Sequence, residues 1–88
     1  MELRSAMALA NQLLQQHGLL SKGWRFKFDH AVSRFGSCNY TRKHVTLSHK
    51  LTTLNDYDAV RNTILHEIAH ALTPGHHHDS VWVARSEE

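Results

Sequence analysis

The stretch that most narrows the fold is NDYDAVRNTILHEIAHALT, residues 55–73. Val60, Ile64, Ile68 and Leu72 recur every four residues, and Leu65 and Ala69 widen them into an apolar stripe. The pattern predicts an amphipathic helix over 55–73 that buries one side against another layer. Asn55 or Asp56 can cap its start, and Asp58 puts negative charge in the first turn, where the helix dipole favours it. Pro74-Gly75 ends it. This helix also carries polar groups that packing alone does not require. His66 and His70 are four residues apart, so both imidazoles project from one face, one turn apart.

The layer that receives the stripe is expected upstream. WRFKF (24–28) alternates strictly, with Trp24, Phe26 and Phe28 on one face and Arg25 and Lys27 on the other, the signature of a half-buried strand. AVSRFG (31–36) and HVTLS (44–48) are weaker strand candidates, with Gly36 and Asn39 supplying turn chemistry between them. Residues 2–17 set Leu3, Met7, Ala10, Leu13 and Leu14 at helical spacing, and Gly18 follows as a C-terminal cap. DSVWVARSEE, after Asp79 or Ser80 as cap, reads as the start of a further helix. The expected fold class is α+β. The N-terminal helix and the 55–73 helix pack on a small antiparallel sheet of about three strands, in a single domain spanning 1–88.

A chain of 88 residues buries only about 60–65% of the surface its unfolded form exposes, so a metal or disulfide often supplements so small a core. Cys38 is the single cysteine, which excludes an intrachain disulfide. The plainest reading of its thiol is a small buried apolar side chain. The segment MELRSAMALANQLLQQHG is interrupted by polar residues throughout, so no signal peptide is expected. No stretch approaches the ~20 apolar residues of a membrane span, and a soluble, cytoplasmic protein is expected. The formal charge of +2 and pI near 9.0 are too mild to imply nucleic acid by themselves.

Histidine is the compositional outlier, with nine in the chain, and His-rich tracts point to metal binding or pH sensing. Zinc–nitrogen bonds of about 2.0–2.1 Å need the convergence that His66 and His70 can provide. Glu67 lies about 100° around the helix axis from His66, beside a metal held there and not on it. From that position it can take a proton from metal-bound water, as in the H-E-x-x-H arrangement of metalloproteases. A catalytic zinc takes a third protein ligand and keeps one position open for water. The candidates are His76, His77 and His78, just beyond the Pro-Gly break. His76 has the metzincin spacing, but that signature needs Gly where this chain has Thr73. Geometry alone leaves the choice among the three open.

HEIAHAL…GHHHDSVW resembles the SprT-like zinc metallopeptidases, including their short bacterial and phage members and the Spartan proteases. SRFGSCNY (33–40), VTLSHKL (45–51) and GWRFKFDHA resemble the family's Arg-x-Gly-x-Cys turn and two of its strands. In that family a third histidine stands four residues before an aromatic residue, a relation that His78 and Trp82 match. The resemblance thus implies Zn2+ held by His66, His70 and His78. It also implies Glu67 as the catalytic base, and a protein or peptide as substrate.

Several further expectations attach to this reading. An edge strand around Lys43–Ser48 would pair with an extended substrate. Tyr40 and Arg34 are candidates for stabilising the transition state, and equally for structural roles. Relatives of the Spartan type act on protein bound to DNA, and Arg25, Lys27, Arg34, Arg42, Lys43 and Lys50 are the residues that would form a basic face for DNA association. Scattered solvated charge is the simpler account of those six. Two alternatives differ in class. His66, His70 and His76 also have the H-x3-H-x5-H spacing of the bacterial rRNA-maturation endonucleases, in which Glu does not follow the first histidine; a metal-dependent endoribonuclease is therefore one alternative. The other is a non-catalytic domain that zinc stabilises for binding or regulation, with four histidines closing the site.

Overall fold

The computed structural model describes residues 1–73. Along the chain run α1 (Leu3–Gln16), a 3-10 turn (Leu20–Lys22), β1 (Arg25–Asp29), β2 (Gly36–Asn39), β3 (His44–Ser48), α2 (His49–Leu54) and α3 (Tyr57–Leu72). The fold is α+β, as expected, but the sheet is mixed. Its strand order is β1-β3-β2, with β3 parallel to β1 and antiparallel to β2. The purely antiparallel sheet is therefore corrected. Period-two alternation is the same for a strand in either direction, so local pattern carries no information on pairing sense.

The strand expected at 31–36 is corrected as well. Residues 31–35 form a connection in which Val32 is 66% exposed, and the second strand is Gly36–Asn39. Gly, Ser, Cys and Asn are poor strand formers. Pairing with β3, from Gly36 opposite Leu47 to Asn39 opposite His44, imposes the conformation instead. Gly36 and Asn39 thus lie inside a strand, and the tight turn falls at residues 40–43, where Lys43 takes a φ of 57°. The position of β3 overturns another expectation. His44–Ser48 is the central strand, paired on both sides, so it offers no edge to a substrate.

The register sorts the sheet into two faces. Phe26, Phe28, Val45, Leu47, Gly36 and Cys38 occupy matched positions on one side. On the other side Thr46 donates to Asp29 at 3.1 Å and shares a short hydroxyl contact with Ser37, while Arg34 pairs with Asp29 at 3.4 Å. Both long helices contribute to the apolar core. α1 buries Ala6, Leu9, Ala10, Leu13 and Leu14, and α3 buries Val60, Ile64, Ile68 and Ala71 against Val45 and Leu47. The α1 stripe is rotated from the expected one, leaving Met7 44% exposed, and Leu72 at the end of α3 is 43% exposed.

Helix ends follow local chemistry. Gly18 (φ 72°) closes α1 in a Schellman pattern: its N–H donates to Gln15 at 3.0 Å and the N–H of Leu19 to Leu14 at 2.8 Å. Asp56 caps α3 by accepting from the N–H of Ala59 at 3.0 Å, and Asp58 sits in the first turn. Ser48 caps the unanticipated α2, accepting from Leu51 at 3.1 Å. Among the described residues no helix is long and apolar enough to cross a membrane. The helix expected after Asp79 lies outside the described residues.

Candidate metal centre

α3 and β2 build the site together. α3 carries His66, Glu67 and His70, and β2 passes close beside it because residue 36 has no side chain. A Cβ at Gly36 would stand 3.0 Å from Thr63 Cγ2, 3.1 Å from the Thr46 carbonyl oxygen and 3.2 Å from Glu67 Cγ. The backbone conformation at Gly36 does not demand glycine, since its φ lies outside the left-handed region; the close approach does.

The two histidines converge as their spacing requires. Their Nε2 atoms are 3.1 Å apart, with ring centroids 4.7 Å apart and planes at 76°. Two nitrogens bound to one tetrahedral zinc at about 2.0–2.1 Å are separated by roughly 3.3 Å. The observed pair fits that bite with a shift of a few tenths of an ångström. Among the described residues no third His, Cys, Asp or Glu joins them in a potential metal cluster. His76, His77 and His78 lie outside the described residues.

Glu67 is buried between the helix and β2, only 7% exposed. Among the described residues its carboxylate forms no hydrogen bond or salt bridge. Burial pushes its pKa up to about 7, against the opposing pull of the Arg34 guanidinium. Cavities flank it on both sides. One, of about 280 Å³, is lined by Cys38, Tyr40, Glu67 and His70; the other, of about 390 Å³, by Phe35, Gly36, Asn62, Thr63, His66 and Glu67. Glu67 thus lines two open depressions, one shared with His70 and the other with His66.

Three further residues near the site are placed as follows. The Tyr40 hydroxyl donates to the main-chain carbonyl of His70. Arg34 is paired with Asp29, with a side chain 60% exposed; it acts on Glu67 only through its field. Cys38 does pack against the core, but it also forms part of the cavity wall beside Glu67. Burial, and secondarily the Glu67 charge, push its thiol up to about 12. Burial likewise raises the Tyr40 phenol, so its hydroxyl stays protonated and able to donate. The signal for this wall was the Gly-x-Cys spacing at 36 and 38. In a strand it puts two small residues on one face, but the local pattern favours a strand at 31–36 over the observed 36–39. Of the six basic residues, Arg25 donates to the Leu20 and Trp24 carbonyls, Lys43 donates to that of Lys22, and Arg34 pairs with Asp29.

Comparison with known families matches the model of the SprT-like family over residues 3–88. No curated protein matches the chain.

Proposed function

The chain belongs to the SprT-like family, and from that premise we propose that it is a zinc-dependent metallopeptidase hydrolysing peptide bonds. One observation carries the proposal. Two imidazole nitrogens stand at a metal-binding separation of 3.1 Å, and a buried carboxylate from the intervening turn lies beside them in a cleft. His66 and His70 are the proposed ligands from α3. His78 is proposed as the third, on its family-like relation to Trp82.

Zinc held there supplies a Lewis acid and brings the pKa of water toward ~7. The chain's own residues do the rest. Glu67 accepts a proton from the attacking water as its oxygen adds to the scissile carbonyl carbon. The C–N bond then breaks, and Glu67 returns the proton to the leaving amine. Gly36 keeps the floor beside Glu67 open, so a chain bound along β2 can reach the carboxylate. The outer edge of β2 bears no strand among the described residues, which makes it the proposed docking edge in place of β3.

A zinc that serves only as a folding staple is the competing account. Desolvating an ionisable carboxylate costs free energy, and a staple gains nothing from it. A proton-transfer site does gain. The test compares zinc-loaded wild type with Glu67→Gln on an unstructured protein. Loss of at least about 100-fold in rate with zinc retained is expected. Full zinc and full rate in the variant would remove the general-base role. Cleavage of structured RNA without cleavage of denatured protein would replace peptide hydrolysis altogether.

A further inference from the structure

The main-chain carbonyl of His70 has an unusual supply of donors. In an α-helix it would accept from the N–H four residues on, but residue 74 is proline and has none. The N–H of Thr73 reaches it instead, at 3.2 Å, in the tighter pattern of a last helical turn. The second donor comes from a different part of the fold. Tyr40, at the start of the turn between β2 and β3, donates its hydroxyl to the same oxygen across 30 residues of chain. Its ring is fixed in turn by an edge-on contact with the buried Trp24, at 6.1 Å and 86°.

We infer that Tyr40 is a positioning residue for His70: its hydroxyl clamps the last turn of α3 and thereby sets where the His70 imidazole stands relative to His66. The inference rests on the zinc reading of that pair. A helix end frays easily, and here the end carries half of the nitrogen pair. A hydroxyl anchored on the sheet removes that freedom without occupying the ring nitrogens. The clamp therefore acts through the backbone, in contrast to the more common arrangement in which a partner holds the ligand's second ring nitrogen.

The experiment uses the full chain with Tyr40→Phe, which keeps the ring and deletes the donor. Trp24→Phe serves as a control that loosens the ring's packing and leaves the hydroxyl. Zinc affinity is measured by competition with a chromophoric chelator, the Co2+ form is examined by visible absorption, and melting of the metal-free proteins reports folding. Tyr40→Phe is expected to bind zinc about 10-fold or more weakly and to alter the Co2+ spectrum, beyond any change that its melting accounts for. Trp24→Phe is expected to lower the melting temperature with a smaller effect on affinity. Wild-type affinity and spectrum in a folded Tyr40→Phe would overturn the clamp while leaving the zinc site intact. So would equal losses in both variants that track melting. Failure of the wild type itself to bind zinc would instead remove the zinc reading, and the clamp with it.

Discussion

Gly36 of β2 approaches Glu67 of α3 so closely that a single added methyl would lie 3.2 Å from the Glu67 side chain. That approach packs the strand backbone against the methylene stem of Glu67 and contributes to the burial of this residue in the middle of a helix. Gly36→Ala would meet Thr63 Cγ2 at 3.0 Å and the immobile Thr46 carbonyl at 3.1 Å. Destabilisation of about 1–3 kcal/mol is expected, visible as a fall in melting temperature of roughly 5–20 °C for a chain of this size. Hydrolytic activity should fall further than stability, because the strand displaced is the one that flanks Glu67. An unchanged melting temperature would show that the contact relaxes freely.

Glu67 makes the stability of the metal-free chain depend on pH. Its native pKa of about 7 lies above the value of 4.5 for an unperturbed glutamate, so the folded state binds the proton more tightly than the unfolded state. Stability from this group is complete below about pH 4.5 and is lost as pH rises through 7. The loss amounts to about 3 kcal/mol at most. Denaturant unfolding of chelator-treated protein at pH 5 and pH 8 measures it. Glu67→Gln should flatten this part of the profile and be the more stable protein at pH 8. A variant less stable than wild type at pH 8 would contradict the burial argument.

Cys38 should be a slow nucleophile. With its thiol pushed up to about 12, the thiolate fraction at pH 8 is on the order of 10⁻⁴, compared with about a quarter for an ordinary thiol. Alkylation of the folded, metal-free chain by iodoacetamide is expected to run at least ~100-fold slower than that of a small-molecule thiol, and at the ordinary rate once the chain is unfolded. Ordinary reactivity in the folded state would mean that the cavity wall is open.

How much of this was legible depends on how local each cause is. α3, its Asp56 cap and the His66–His70 pairing follow from contiguous residues, and all three were readable. β3 was readable to the residue, although its local signal is weaker than that of β1. Its centrality was not readable, since parallel pairing with β1 joins segments separated by β2. The weak formers of β2 take strand geometry only from their neighbour. α2 spans six residues, too few for a helical period to show. The burial of Glu67 and the Tyr40 clamp both depend on where β2 lands against α3, and no stretch of sequence near either residue encodes that position.

The most direct test of the central claim is the zinc content of untagged protein, by elemental analysis with native mass spectrometry. Wild type and Glu67→Gln are compared with His66→Ala, His70→Ala, His76→Ala and His78→Ala. The account predicts about one zinc per chain in wild type, Glu67→Gln and His76→Ala, and its loss in His66→Ala, His70→Ala and His78→Ala. Loss with His76 and retention without His78 would move the third ligand to the other end of the cluster. A wild type that takes up no zinc, or a His66→Ala or His70→Ala variant that keeps it, would contradict the metal site itself.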